Sequence, residues 1–478
     1  MKKHRKALAW LGVASMTLTL AGLVGSGVAT AQSDDKKERA PLVHVNKDPY
    51  PSTYTPFPSQ LTAITGATIL DGNGNMIENG VVIMNGGKIV SVGEGLDIPA
   101  EAKVVDGTGK WVTPGIIDVH SHLGVYPAPD HSSTADGNEA TSPVTADVWA
   151  EHSVWPQDTG FARALAGGIT TLQILPGSAN LIGGRGITLK NVPARTAEGM
   201  KFPGAPYGLK MACGENPKRV YGKKGGPSTR MANMAGYRKA WIKARDYKEK
   251  WDKYYADYEA GEDVSAPTQD LELDTLMGVL NGEILIHNHC YRADEMVSMI
   301  NMAHEFGYKI STFHHAVESY KIADILAKEG VCSAMWADWG GFKLEAWDRI
   351  NENIPMVAKA GACAIVHSDS DVEIQRLNQE MAKAWADGRK VGINFSKAEA
   401  FTWLTKKPAE ALGIADKTGT LEAGKMADVV LWSTDPFSTY SLAEQVYIDG
   451  ALMYERGNQN LSPQSDFEVG QNTKGDHQ

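Results

Sequence analysis

Residues 112–122 read Val112-Thr113-Pro114-Gly115-Ile116-Ile117-Asp118-Val119-His120-Ser121-His122. The apolar run in this stretch predicts a buried strand that ends on two histidines. Side chains two positions apart on a strand share a face, so His120 and His122 can bind one metal ion. A His-x-His pair also occurs by chance, but its place directly after an apolar strand favours a metal site.

From Thr113 onward, segments with strand and helix patterns alternate. This alternation predicts a parallel sheet, and the length of the region favours a closed (β/α)8 barrel of the TIM type. Gly177–Gly186, after the second predicted strand, is expected to be a flexible loop near the substrate or a plain glycine-rich turn. The predicted strands are Ile116–His120, Thr170–Leu175, Gly208–Cys213, Ile284–His289, Lys309–Phe313, Val331–Met335 and Ala362–His367.

Short β-rich runs separated by Asn-Gly and Asp-Gly turns flank this region on both sides. They predict a small β-sandwich domain, built from N- and C-terminal segments, into which the barrel is inserted. The expected organisation is a signal peptide (1–31), a linker or arm (32–60), the first part of the β-sandwich (61–112), the barrel (113–415), the second part of the β-sandwich (416–456) and a polar tail (457–478).

The N-terminal segment has a basic start, an apolar run and the residues Ala29-Thr30-Ala31. This pattern predicts a signal peptide cleaved after Ala31 and hence a periplasmic protein; an uncleaved membrane anchor is the alternative. Four cysteines lie in or beside apolar, strand-like segments, where we expect buried free thiols even though export permits disulfides. They are Cys213, Cys290, Cys332 and Cys363.

The formal net charge of -10 argues against a nucleic-acid partner, since a phosphate-binding surface requires an excess of basic residues. We therefore expect a small-molecule substrate and no stable membrane insertion after cleavage. Whether the chain forms a homo-oligomer is left open.

Further ligand-type side chains stand at the ends of later predicted strands, where barrels of this type assemble their active sites. Imidazole and carboxylate groups are the ligands that zinc prefers. These side chains are Lys210, His287, His289, His314, His315, His367 and Asp369.

With these motifs, and with Pro408–Ile414 and Thr418–Val430 near the end, the chain resembles the amidohydrolase superfamily. Within it, the chain is most similar to proteins related to imidazolonepropionase and to the barrel-type Xaa-Pro dipeptidases (prolidases). The resemblance implies a metal-dependent hydrolase of C–N bonds, with one or two divalent ions for which zinc is expected.

The resemblance also implies roles for individual residues. The implied metal ligands are His120, His122, Lys210 (carboxylated if two ions bind), His289, His315 and Asp369, with Asp369 and His289 as catalytic residues. Glu215 is the rival to Lys210, and His287 the rival to His289. We expect His287, His314 and His367 to be buried and hydrogen-bonded. Substrate contacts are expected from Arg185 (a carboxylate anchor), Tyr291, Arg292 and Glu318.

In the implied mechanism, Asp369 takes a proton from a metal-activated water and passes it to the leaving nitrogen. A dipeptide, an N-acyl amino acid or a cyclic amide fits this chemistry. A deaminase acting on an amino-substituted ring and a catalytically inactive scaffold are the alternatives. Tyr237–Glu259 is expected to be an aromatic-faced helix on the barrel rather than a lid, and Trp336 and Trp339 could form walls of the pocket.

Overall fold

The computed structural model describes residues 39–128, 130–458 and 460–461. The predicted signal peptide and most of the predicted polar tail lie outside the described residues. From Leu42 the described chain forms one compact unit, and residues 39–41 have no regular secondary structure. Within the described residues, no helix is both long enough and apolar enough to cross a membrane.

The first five strands belong to a sheet outside the barrel. The hairpin between the second and third strands turns at Gly86 and Gly87, whose φ angles are 55° and 80°. Glycine adopts positive φ without strain, as this tight turn requires. The strands are β1 (Thr62–Leu70), β2 (Met76–Asn85), β3 (Lys88–Glu94), β4 (Lys103–Asp106) and β5 (Trp111–Pro114).

The next eight strands form the nearly closed barrel and neighbour one another in chain order. They are β6 (Ile116–Ser121), β7 (Ile169–Ile174), β8 (Ile182–Lys190), β9 (Gly208–Ala212), β10 (Leu285–Cys290), β11 (Ile310–His315), β12 (Cys332–Met335) and β13 (Cys363–Val366). The predicted eight-strand barrel is confirmed. One strand, β8, runs antiparallel to both β7 and β9, which the sequence did not indicate.

The expectation of a flexible loop or a plain glycine-rich turn over Gly177–Gly186 was wrong from Ile182 onward. Residues 177–181 lie outside the strands, but β8 begins at Ile182 and all its residues are buried. Its glycines serve close packing. A Cβ at Gly184 would lie 2.2 Å from the carbonyl oxygen of Val148, and one at Gly186 would lie 2.5 Å from Leu175. A stretch rich in glycine is therefore a barrel strand here, because neighbouring chain segments approach its backbone too closely for larger residues.

Three strands near the C-terminus complete the first sheet. They are β14 (Val429–Trp432), β15 (Ala443–Ile448) and β16 (Ala451–Glu455). The sheet order is β16-β15-β14-β5-β1-β2-β3, with β4 on β1. Strand β14 pairs with β5. The segments that precede and follow the barrel in the sequence therefore contribute strands to the same sheet.

The helices include one of 30 residues that packs on the barrel. Tyr237 and Trp241 of this helix are buried in the main hydrophobic core, while Trp251 and Tyr254 pack in a second cluster. The helices are α1 (Thr159–Ala166), α2 (Glu215–Tyr221), α3 (Arg230–Glu259), α4 (Leu271–Leu280), α5 (Ala293–Phe306), α6 (Ala323–Glu329), α7 (Asn353–Lys359), α8 (Leu377–Lys390), α9 (Lys397–Phe401) and α10 (Lys406–Ala411).

The expectation of free thiols was also wrong, because the four cysteines form two disulfides, Cys213–Cys290 and Cys332–Cys363. Each joins neighbouring barrel strands or their ends. Their Cα atoms are 5.3 Å and 4.4 Å apart, within the range that a disulfide spans. The partners are 77 and 31 residues apart in sequence, so only strand pairing brings them together.

Candidate functional site

Predicted ligands from five barrel strands converge at one end of the barrel. The tightest group consists of His120, His315 and Asp369, whose potential ligand atoms all lie within 4.8 Å of one another. His122 follows β6 and lies beside this group, with its Nε2 3.2 Å from Asp369 Oδ1. Lys210 on β9 reaches it from the other side, with its Nζ 3.4 Å from His120 Nε2.

Short distances between lone-pair donors show that these side chains face a common point. His120 Nε2 lies 3.3 Å from both His122 Nε2 and Asp369 Oδ1. His315 Nδ1 lies 3.8 Å from Asp369 Oδ2. We name His120, His122, Lys210, His289, His315 and Asp369 the strand-end cluster.

Hydrogen bonds behind the cluster orient two of the imidazoles. His122 Nδ1 lies 2.8 Å from the carbonyl oxygen of Leu175 and must donate to it, so Nε2 carries the lone pair. His120 Nδ1 lies 2.9 Å from His314 Nδ1, which likewise leaves Nε2 turned toward the cluster. Partners of this kind fix the tautomer and ring direction of metal-binding histidines.

His289 supplies the test of whether a cation fits. Within the part of the chain that the structure describes, both its ring nitrogens are buried without a hydrogen-bond partner, and so is Nδ1 of His315. Unsatisfied buried nitrogens are costly and uncommon in folded proteins. The rings of His289 and His315 lie 4.5 Å apart. A divalent cation held between the two rings would be bound by one nitrogen of His289 and by Nδ1 of His315, so the residues present fit a metal ion.

Burial lowers the pKa of three imidazoles of the cluster and so favours their neutral form, the form that binds metals. It holds the pKa of His120 well below its ordinary value, helped by the charge of Lys210. The pKa of His289 is lowered mainly by burial and then by the charge of Lys343. The pKa of His315 falls mainly by burial and then through its histidine neighbours. Burial also lowers the pKa of Lys210 to about 7, which makes its uncharged amine accessible near neutral pH.

Backbone strain is concentrated at two cluster positions. His315, the adjacent Ala316 and Asp369 have φ angles of 69°, 42° and 55°. Residues other than glycine rarely adopt such angles, and strain of this kind gathers at functional sites. The fold therefore holds the imidazole and the carboxylate in place at a local energetic cost.

A chain of buried groups continues inward from the cluster. From His120 it passes to His314, whose Nε2 lies 3.0 Å from His287 Nδ1, and His287 Nε2 lies 3.3 Å from the side-chain nitrogen of Gln173. His367 Nε2 separately accepts a hydrogen bond from the backbone N–H of His315 over 3.2 Å. All three of these histidines are buried and hydrogen-bonded, as expected from the sequence.

The structure also distinguishes between the alternative ligands of each pair, His289 or His287 and Lys210 or Glu215. His287 is held in the hydrogen-bonded chain, whereas His289 lies beside His315 in the cluster. Lys210 approaches His120, whereas Glu215 begins α2 and its carboxylate lies 3.7 Å from Lys343 Nζ. Lys210 and His289 are therefore the residues of each pair that the barrel brings to the cluster.

Of the predicted substrate contacts, Tyr291 alone adjoins the cluster. Its ring stacks on that of His315 at 5.3 Å and meets His289 edge-on at 4.8 Å.

The other three predicted contacts are engaged elsewhere. Glu318 accepts a hydrogen bond from Ala293 N over 2.9 Å, and Arg292 pairs with Asp294. Arg185, expected to be a carboxylate anchor, lies away from the cluster, because its neighbour Gly184 is the residue that pairs with Lys210. Alternation along β8 therefore turns Arg185 to the opposite face of the sheet. There its guanidinium lies over the ring of Trp149, 3.9 Å from the ring centroid.

Two residues near the cluster had no role in the sequence analysis. Asp118 is fully buried and accepts hydrogen bonds from Ser368 Oγ and from the backbone N–H groups of His120 and Ser368. A carboxylate inside an apolar strand was the signal that could have revealed it. Lys343 lies in the segment after β12, and nothing in the sequence distinguished it from a surface lysine.

Comparisons with known proteins agree with this geometry. The sequence pattern of the Amidohydrolase family matches residues 111–466. A solved amidohydrolase from Thermotoga maritima MSB8 is 34% identical with a TM-score of 0.75, and the match covers 83% of this chain and all of that one. A putative prolidase from Bifidobacterium longum shares the fold, with a TM-score of 0.51, 16% identity, and coverage of 87% and 98%.

Two curated relatives extend the comparison. Amidohydrolase tasK of Hapsidospora irregularis is 31% identical over 75% of this chain, and the match spans 38% of that protein's length. An imidazolonepropionase of Rhizobium rhizogenes is 24% identical over 78% of this chain and 89% of its own length. The barrel, the His and Asp side chains at its strand ends and the match over most of the chain lead to one conclusion: the chain belongs to the Amidohydrolase family of hydrolases.

Proposed function

We propose that this protein hydrolyses an amide-type C–N bond of a small molecule, such as a dipeptide, an N-acyl amino acid or a cyclic amide, and that the strand-end cluster is its catalytic site. The observation that carries the proposal is the convergence of His120, His122, His315 and Asp369. The unpartnered ring nitrogens of His289 support it.

The strand-end cluster would hold one or two divalent cations, for which we propose zinc because imidazole and carboxylate ligands suit it. Bound there, the ion would supply Lewis-acid chemistry: it polarises a substrate carbonyl and lowers the pKa of a water molecule. The uncharged amine of Lys210 is the form that adds carbon dioxide, giving a carbamate and releasing a proton to solvent, so Lys210 in that form would be a further ligand if two ions bind.

The proposal assigns the proton transfers to Asp369. Its carboxylate lies 3.3 Å from His120 Nε2. Because the side chain is 24% exposed, it also remains accessible to water and substrate. From its position beside His120 and His122, it would take a proton from the attacking water and deliver it to the leaving nitrogen. His289 would stabilise the charge that develops on the carbonyl oxygen. Tyr291 and Trp336, whose rings both stack on His315, would exclude water from one side.

The experiment compares the wild-type protein with Asp369→Asn on a panel of dipeptides, N-acyl amino acids and cyclic amides, with bound metal measured in parallel. Asp371→Asn is the matched control, because Asp371 lies exposed in the same loop. We expect Asp369→Asn to lose at least about 100-fold in kcat, while keeping its fold and most of its metal, and Asp371→Asn to behave as wild type.

Two outcomes would overturn the assignment. Unchanged turnover in a folded Asp369→Asn protein would exclude the proposed proton transfer. Release of ammonia from amino-substituted rings, without hydrolysis of any amide in the panel, would instead identify a deaminase.

We also propose that the protein works in the periplasm after cleavage following Ala31. The disulfides Cys213–Cys290 and Cys332–Cys363 support this proposal, because structural disulfides persist in oxidising compartments and are rare in the cytosol. Expression of the full chain in a bacterial host tests it. We expect the periplasmic fraction to contain a protein that begins at Gln32 and has no titratable thiol; a full-length chain retained in the cytosol would contradict it.

A further inference from the structure

The disulfide Cys213–Cys290 lies beside the strand-end cluster. Cys213 directly follows β9, the strand that carries Lys210, and Cys290 ends β10 directly after His289. Both cysteines are buried. Because the cluster is built at the carboxyl ends of the barrel strands, this bridge stands at the end of the barrel where a cation would bind.

His289 differs from His120 and His122 in what fixes its ring. A hydrogen bond at Nδ1 orients each of those two imidazoles, whereas neither ring nitrogen of His289 has a partner among the residues that the structure describes. Metal-binding histidines are usually held by such a partner. The direction of the His289 ring therefore depends on where its backbone is held and on the rings of Tyr291 and His315 beside it.

The backbone of His289 is held by the same residue that closes the disulfide. Its carbonyl oxygen accepts a hydrogen bond over 2.9 Å from the backbone N–H of Cys213, and the next residue, Cys290, is covalently joined to Cys213. Two links from adjacent residues of β10 thus lead to one residue at the end of β9. The disulfide keeps the ends of these two strands together.

Helix α3 fixes the β9 side of this bridge. Tyr237 Oη donates a hydrogen bond to the carbonyl oxygen of Ala212, and Asn233 Nδ2 donates over 3.0 Å to the carbonyl oxygen of Gly214. Both side chains are buried, and they hold the residues on either side of Cys213. The disulfide therefore ties β10 to a fixed point rather than to a free strand end.

Cys290 also connects the bridge to His315. Its carbonyl oxygen accepts a hydrogen bond over 3.0 Å from the backbone N–H of Ala316, and it lies opposite His315 in the pairing of β10 with β11. His315 and Ala316 both have positive φ. Strained backbone persists only where the surrounding structure holds it, so the bridged residue supports the corner that carries His315.

The second disulfide occupies the opposite end of the barrel. Cys332 and Cys363 are the first residues of β12 and β13, whereas the cluster lies at the carboxyl ends of the strands. The two bridges share their chemistry and both join neighbouring strands or their ends, but only Cys213–Cys290 borders the cluster. The chain thus contains a matched control for any effect of a disulfide on stability alone.

We propose that the disulfide Cys213–Cys290 positions His289 for the cation, so that the metal affinity of the strand-end cluster depends on this bridge and not on Cys332–Cys363. The inference rests on one part of the proposed function, the binding of a divalent cation by the cluster. Cys213 and Cys290 are positioning residues in this role, because they act through His289.

The first test removes each bridge separately and measures zinc affinity by competition with a chelator. Circular dichroism and urea denaturation first confirm that each variant is folded. Alanine leaves no thiol that could bind the ion. We expect the Kd for zinc to rise about 10- to 100-fold in Cys213→Ala/Cys290→Ala and to stay at the wild-type value in Cys332→Ala/Cys363→Ala, although both variants lose stability. Cys213→Val/Cys290→Ala, which fills more of the buried volume, replaces the alanine pair if that pair does not fold.

A second test shows whether the bridge acts through His289. Zinc affinity is measured for His289→Ala with and without the Cys213–Cys290 bridge. Residues that act as a unit give non-additive losses, so we expect removal of the bridge to weaken zinc binding by no more than about twofold once His289 is gone. A further loss as large as that in the wild-type background would overturn the positioning role.

The zinc measurements do not depend on turnover. Equal zinc affinity in wild type and Cys213→Ala/Cys290→Ala, or equal losses in the two bridge variants, would overturn the inference and leave the proposed function standing. Zinc binding that depends on the bridge, in a protein that hydrolyses no compound of the amide panel, would support the inference and overturn the proposed function. A wild-type protein that binds no zinc would overturn both.

Discussion

The backbone N–H of Asp369 donates a hydrogen bond over 3.1 Å to the carbonyl oxygen of His120. Asp369, three residues after the last barrel strand, is thereby tied to the first barrel strand at His120, a predicted metal ligand. Asp118 strengthens this junction, because its carboxylate accepts hydrogen bonds from His120 and Ser368. The hydrogen bonds that join the last barrel strand to the first therefore also bring together His120 and Asp369 of the strand-end cluster.

Replacing Asp118 is expected to destabilise both the junction between the first and last barrel strands and the strand-end cluster. In Asp118→Asn, an amide nitrogen replaces either the oxygen that accepts from Ser368 Oγ or, with the amide turned over, the oxygen that accepts from both backbone N–H groups, so a fully buried hydrogen bond is lost or reversed. We expect the free energy of unfolding to fall by about 1–3 kcal/mol, together with weaker metal retention. Urea denaturation and metal analysis check this, with exposed Glu101→Gln as the control. Full stability and full metal content in Asp118→Asn would contradict it.

The hydrogen-bonded histidines behind His120 are expected to affect metal affinity. His314→Phe keeps a ring of similar size but removes the partner of His120 Nδ1. Loss of such a partner typically weakens metal binding about 10- to 100-fold. Competition with a metal chelator measures the change. His304→Phe, at an exposed position on α5, should bind metal as wild type does, and equal affinity in the two variants would rule out the predicted role of His314.

Lys210 is expected to make the stability of the metal-free protein depend on pH. Its pKa in the folded protein is about 7, against an ordinary value of 10.5. Between these values the unfolded chain binds a proton that the folded chain does not. The free energy of unfolding should therefore rise with pH from 7 to 10, by up to about 1.4 kcal/mol per pH unit.

Urea titrations of chelator-treated protein in bicarbonate-free buffer test this pH dependence. Lys210→Met removes the titrating group and should flatten the rise. The same slope in both proteins would show that Lys210 does not cause it.

A buried ion-pair group joins the barrel to the first sheet. Lys190, at the end of β8, lies 2.7 Å from Asp449 and 3.3 Å from Asp428, and all three are buried. Lys190→Met leaves two carboxylates without their cation and is expected to cost about 3–5 kcal/mol. Chemical denaturation measures the loss of unfolding free energy. Lys239→Met, which removes an exposed lysine on α3, is the control. A loss below about 1 kcal/mol would contradict it.

The Cys332–Cys363 disulfide is expected to stabilise the last two barrel strands. Removing it in Cys332→Ser/Cys363→Ser should lower the free energy of unfolding by about 2–4 kcal/mol. The reduced wild-type protein is a second comparison: it lacks both disulfides but keeps all four cysteine side chains. If oxidised and reduced wild type were equally stable, the disulfide would have no such role.

Much of the site could be predicted from the sequence because its signals are local. An apolar strand that ends in His-x-His places both imidazoles on one face without reference to the rest of the chain. His315 and Asp369 likewise follow apolar runs that predict strands. In a barrel, the carboxyl ends of strands meet at one mouth, so their positions in the sequence indicated that they would meet.

The predictions that failed concerned contacts between distant segments. Glycine-rich β8 looked like a loop because its composition does not reveal that Val148 and Leu175 pack against its backbone. The cysteines looked like isolated thiols because pairing between strands, not spacing in the sequence, sets their distances.

The sequence by itself determined the fold class, the approximate ends of seven of the eight barrel strands and the chemical types of the residues that gather there. Only the tertiary structure decided that His289 rather than His287 reaches the cluster, that Arg185 turns to the opposite face, and that Lys343 lies beside Tyr291. The physical reason is range: strand periodicity and ligand chemistry are properties of adjacent residues, whereas strand register and loop packing depend on segments brought together by folding.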